Sequence, residues 1–312
     1  MVGMLCAASP VAGGEPGWHL EGAAVEWKVS GEVVKDKDVS GVVINRDGIG
    51  ALVSDETRAA QEFSYSRTSR KINMGSLLPL LPGKGTEIDM EAASLSPDGT
   101  RAYFAGSHSL ARKKGVLEPE RSNVFRLAIN SDGGFTKKLD QGNFRSVIAT
   151  QPALATALDK TADGTGVDIE SLAIHGDKLL VGFRAPLVDG IAVILEVPEK
   201  DVFGGAKTKG ETTLHRVDLG YGRGIRDMLR IPDGFLLIAG DAASDTEKST
   251  FELFHWSGPE TGKIQRIGLI SDPPGKAEAL GLLHAASNAI EILILFDGAT
   301  NGGPRSQLLK KK

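Results

Sequence analysis

The chain has 312 residues, of which 41% are hydrophobic, and a formal net charge of −4. That apolar share is enough for a real core and separates the chain from disordered sequences. The charge gives no footprint for nucleic acid, and no stretch reaches the roughly 18 uninterrupted apolar residues of a membrane-spanning helix.

Residues 1–17 open with MVGMLCAASPVA, small and apolar like the remnant of a secretory signal but without its basic n-region. Such a remnant implies a periplasmic or secreted protein. A disordered N-terminus implies a cytoplasmic one. Cys6, the single cysteine, falls here, so the remaining chain has neither a disulfide framework nor a cysteine metal site.

From residue 18 to residue 312 the chain reads as one β-propeller domain. Trp18–Val34 supplies one or two strands, the first of which is expected to complete the last blade beside the C-terminal residues. Five stretches then repeat one grammar: Asp38–Glu56, Asp89–Ser109, Val167–Pro186, Gly224–Asp241 and Lys276–Gly298. Each is a polar residue, an apolar run, a tight turn and a second apolar run. The turns carry the chemistry of hairpins, as in Asn45-Arg46-Asp47-Gly48 and Ser96-Pro97-Asp98-Gly99. Weaker outer strands follow each pair, at Phe63–Arg67 and Lys71–Met74, Asn123–Ile129 and Phe135–Leu139, Ala192–Val197 and Thr212–Leu219, and Thr250–Trp256 and Lys263–Ile270. Short apolar runs between Gly, Pro and Asp turns mean all-β, and four strands per repeat mean a propeller. Five blades are recognisable. The long Leu110–Gly166 insert has room for a degenerate sixth, and Gln151–Lys160 within it has the composition of a short helix.

The repeat also predicts a site. The first strand of each unit is innermost and the second returns antiparallel, so strand-one starts and strand-two ends emerge on one face. The starts are Ser40, Glu91, Glu170, Asp227 and Glu278. The ends are Asp55 with Glu56, His108, Arg184, Asp241 and Asp297. Carboxylates gathered this way repel unless compensated. One solution is a hard cation, most naturally Ca²⁺, on Glu91, Glu170, Glu278 and Asp55. The other is an ion-pair ring in which Arg184 and Arg226 hold the acids. Asp159 to Glu170 also has the oxygen spacing of an EF-hand loop, but a plain polar Gly-rich turn explains it better, since Gly166 stands at position eight and a strand follows Glu170.

Other chemistries find no motif: there is no Gly-x-Ser-x-Gly elbow, no His-Glu-x-x-His helix and no Walker loop. His108 alone among the histidines falls in register with the mouth, and with Asp55 it is the candidate general base. Arg184, Arg226, Asp227 and Asp241 are the candidate contacts for a small polar or anionic ligand.

The segments DIESLA, GFRAP, GIRDML with LLIAGD, and KAEALGL resemble the signatures of a bacterial β-propeller family known as a domain of unknown function, the thirty-six-sixteen type. The resemblance runs from about Asp38 to Phe296, and Arg184 and Arg226-Asp227 are its most specific parts. It implies the propeller and no particular reaction. More loosely, the repeated acidic motif is similar to phytase-like and esterase-like propellers, which implies calcium held by acids at the channel mouth. Ala92, Ser171 and Ala279 depart from the Gly that follows Glu in the simple motif. Three functions stay open: a monomeric module binding a divalent cation or a small ligand, a calcium-dependent hydrolase of a phosphoester, ester or lactone, and a protein-interaction scaffold.

Overall fold

Among the described residues, twenty-one strands form five sheets arranged as a ring of blades. The computed structural model describes residues 17–111, 115–163, 165–204, 210–243 and 249–312. The expected signal remnant or disordered N-terminus, and Cys6 with it, lie outside the described residues apart from residue 17.

The innermost strands are Val39–Ile44, Met90–Leu95, Asp168–His175, Arg223–Ile231 and Lys276–Ala285. Each pairs with the next strand of its own repeat, and the outer strands follow in chain order through the second, third and fourth blades. The inner strands are continuous apolar runs because both of their faces meet a neighbouring blade, which removes the usual in–out alternation. All six residues of Val39–Ile44 are buried. Five apolar clusters fill the five seams between successive blades, the last joining blade five back to blade one.

Ring closure joins the two chain ends. Trp18–Glu26 is the outermost strand of blade five and runs antiparallel to Arg305–Lys311, with Trp18 opposite Lys311. The expected partnership of the first strand with the C-terminal residues is therefore present. Blade one gains an extra edge, Lys28–Ser30, which pairs parallel with Lys71–Pro79.

The propeller has five blades, and the described residues form no sixth. Within the Leu110–Gly166 insert, Val124–Ile129 and Phe135–Gly142 are the outer strands of blade two. Two short helices pack inward: Arg145–Ile148 and Pro152–Ala155 bury Val147, Ile148 and Leu154 in the seam between blades two and three. The helix expected over Gln151–Lys160 is thus shortened to four residues. No helix among the described residues is long and apolar enough to cross a membrane.

Candidate functional site

Every innermost strand breaks register with its partner at one residue near its start. The residues skipped are Ser40, Glu91, Glu170, Arg226 and Glu278, one per blade. A β-bulge leaves one residue out of the ladder and re-aims its side chain. Repeated five times around the ring, it sets five equivalent side chains about the channel.

In blade four the bulged residue is Arg226, so the equivalence expected for Asp227 moves by one position. Asp227 is 2% exposed and accepts two backbone N–H groups, from Met228 at 2.7 Å and from Leu280 of blade five at 2.6 Å. Burial holds its carboxyl well above the usual carboxylate range, against the pull of those two donors. It pins blade four to blade five. Asp241 lies outside the cavity wall and accepts from the Ser249 hydroxyl at 3.2 Å.

Two arginines occupy the half of the mouth formed by blades three to five. Arg226 lies 3.1 Å from both Glu170 and Glu278 and is 1% exposed. Arg184 lies 2.6 Å from Asp168 and 3.0 Å from Glu170. Both guanidiniums are engaged by the protein's own carboxylates, and two of the four acids expected as metal ligands, Glu170 and Glu278, sit in this web.

The half formed by blades one and two is different. A cavity of about 540 Å³ reaches from there across the mouth to blades three and five, walled by ten carboxylates against Arg121, Arg184 and Lys276. Asp55, Asp89 and Glu91 each bring a carboxylate oxygen within 4.8 Å of the others. The backbones of Asp55 and Asp89 are tied, because the Asp89 N–H donates to the Asp55 carbonyl at 3.1 Å. Burial, with Asp89, Asp38 and Asp297 nearby, pushes the Asp55 carboxyl up to about 7. Burial also raises Glu91 well above its ordinary range, reinforced by Asp89, Glu170 and Asp55. Asp55 Oδ1 is buried and has no hydrogen-bond partner among the described residues. An all-oxygen donor set holding an orphaned buried oxygen fits a hard cation, which would relieve both the repulsion and the missing contact.

Asp89 was not among the expected ligands. It precedes the apolar run and adopts φ 56°, so strand periodicity does not place it. The available signal is the repeat itself: Asp89 stands two residues before Glu91 as Asp168 stands before Glu170.

His108 does not serve as a base at the mouth. It is fully buried, its Nδ1 lies 2.8 Å from the Gly106 carbonyl, and its Nε2 accepts the Phe144 N–H at 3.0 Å. The proton therefore sits on Nδ1, both nitrogens are committed, and burial pulls the pKa down to about 4. The EF-hand spacing does not assemble either. Asp159 is a 94% exposed side chain beside Arg145, Glu170 is held by the arginines, and Gly164 lies outside the described residues.

Residues 134–307, more than half of the chain, match the family described as Protein of unknown function (DUF3616). The chain belongs to the DUF3616 family. No curated protein matches it. Among solved structures, this DUF3616 chain is similar to a protein of unknown function from Dyadobacter fermentans, with 11% identity, TM-score 0.50, and 95% of this chain and 100% of that one covered. It is also similar to the major Malassezia sympodialis allergen Mala s 1, with 11% identity, TM-score 0.52, and coverage of 93% and 96%. A weaker likeness, TM-score 0.40 at 14% identity over 87% and 84% of the chains, is to the periplasmic gluconolactonase PpgL of Pseudomonas aeruginosa. At 11% identity the first two likenesses are ones of fold alone.

Proposed function

We propose that the channel mouth binds a divalent cation through Asp55, Asp89 and Glu91, and that the ion is Ca²⁺. The observation that carries this reading is the convergence of three carboxylate oxygens within 4.8 Å around a cavity where Asp55 Oδ1 is buried without a partner. Carboxylate oxygens suit Ca²⁺, whose flexible coordination accepts unequal ligands and added water. Mg²⁺ demands a near-ideal octahedron and dehydrates reluctantly. Melting the protein with and without CaCl₂, alongside Asp55→Asn, tests the reading. A calcium-dependent rise in Tm that the substitution removes supports it, and a Tm indifferent to calcium contradicts it.

The 540 Å³ cavity beside the cluster supports a second reading, metal-assisted hydrolysis of a phosphoester, ester or lactone. When bound, the cation supplies Lewis-acid polarisation. With His108 committed to backbone groups, the base falls to a mouth carboxylate. Calcium-dependent turnover in a panel of those three substrate classes tests this reading; hydrolysis no faster than the buffer blank contradicts it.

A further inference from the structure

We propose that the turn Ser107-His108-Ser109, together with Arg121, positions the Asp89 carboxylate as a cation ligand; this rests on the cation reading above. Three donors meet one oxygen, Asp89 Oδ2: the Ser107 hydroxyl, the Ser109 hydroxyl at 3.3 Å and Arg121 Nη1 at 2.6 Å. None of the three falls on Oδ1. The donors are themselves buried, with Ser107, Ser109 and Arg121 at 0%, 3% and 9% exposure.

The turn is held to Asp89 from several sides. The Ser107 N–H donates to the Asp89 carbonyl at 2.9 Å, the Ser109 N–H donates to Ser107 Oγ at 3.1 Å, and the two hydroxyls lie 2.8 Å apart. His108 fixes the turn from beneath. Its backbone is left-handed at φ 58°, and its buried ring bridges the Gly106 carbonyl and the Phe144 N–H. Asp89 is left-handed as well, at φ 56°.

Pairing Arg121 needs none of this. The guanidinium already has Glu87 at 2.7 Å and Glu118 at 3.2 Å. Placing two buried hydroxyls on an oxygen that already receives a guanidinium over-determines the orientation of one carboxylate. Its effect is to fix the plane of Asp89 and direct any further ligand to Oδ1. A carboxylate ordered in advance has less freedom to lose on binding, and outer-shell partners of this kind are worth about 10- to 100-fold in metal affinity.

The test is calorimetric titration of the full chain with CaCl₂, paired with thermal melts of the calcium-free protein. The variants are the double substitution Ser107→Ala with Ser109→Ala, and the control Ser171→Ala. Ser171 is equally buried, and its hydroxyl has no hydrogen-bond partner among the described residues. The double variant is expected to raise the Kd for calcium by about 10- to 100-fold with a lowered calcium-free Tm, because the Ser109 N–H loses its acceptor; Ser171→Ala leaves the Kd unchanged. If the double variant does not fold, Arg121→Lys decides by the same criterion, since it keeps a cation at Asp89 and loses the planar fork. Wild-type binding that the turn variants leave intact, or an equal loss in Ser171→Ala, overturns the positioning role alone. A wild type that binds no calcium overturns the cation reading and this proposal with it.

Discussion

Arg226 Nη1 lies 3.1 Å from Glu170 Oε2, across the seam between blades four and three, and the same nitrogen reaches Glu278 of blade five at 3.1 Å. One buried cation thereby joins three successive blades at the channel. Around the rest of the ring no guanidinium occupies the bulge position: blade one carries Ser40, whose hydroxyl donates to the Met90 carbonyl, and blade two carries Glu91. The bulge positions are therefore bridged by a guanidinium from blade three to blade five, whereas on the side of blades one and two Asp89 is held by Arg121, and Asp55 and Glu91 form no ion pair among the described residues.

Removing Arg226 is expected to cost stability heavily. Arg226→Met leaves Glu170 and Glu278 without their shared counter-charge, and breaking a buried pair from one side costs on the order of 3–5 kcal/mol. Urea unfolding monitored by tryptophan fluorescence measures it. Arg226→Lys is expected to recover only part of the loss, because a point charge does not reproduce the guanidinium's reach to both blades.

The blade pin at Asp227 makes a smaller prediction. Asp227→Asn retains one acceptor oxygen where the carboxylate supplies two, to Met228 and to Leu280. One buried N–H is left unsatisfied, at a cost of about 1–3 kcal/mol. Calcium affinity is expected to stay at the wild-type value, which separates this residue from the candidate ligands.

Asp55 sets a pH dependence. Its folded pKa is raised to about 7, whereas an unfolded aspartate titrates near 4. Between these values the native state holds the extra proton, so the contribution to stability is largest below the unfolded pKa and is lost as pH rises through 7. The calcium-free Tm is therefore expected to fall from pH 6 to pH 8, and Asp55→Asn to flatten that slope. Calcium must displace the proton, so its affinity is expected to rise over the same interval. Melts at three pH values with EDTA or calcium check both directions.

The repeat was legible because each hairpin carries Gly, Pro or Asp at its turn between apolar runs, and the strand pairs Gly41–Ile44 and Ile49–Ser54 fall within one or two residues of those observed. The meeting of strand starts and ends at one face followed from antiparallel pairing alone, and it brings Asp55, Glu91, Glu170, Arg184 and Glu278 into one cavity wall. What failed has a local cause. A bulge is a property of pairing, so nothing in GIRD says that Arg226 rather than Asp227 leaves the ladder. Positive φ at Asp89 and His108 reverses where a side chain goes, bringing the first into the mouth and leaving the second buried against Phe144. The apparent space for a sixth blade was taken by two short helices filling a seam.

The most direct measurement is calorimetric titration of calcium into the wild type, Asp55→Asn and Glu278→Gln. The account predicts saturable binding to the wild type, its loss in Asp55→Asn, and its retention in Glu278→Gln, whose acid belongs to the arginine web. Absence of binding in the wild type, or loss in Glu278→Gln with Asp55→Asn unaffected, would contradict it.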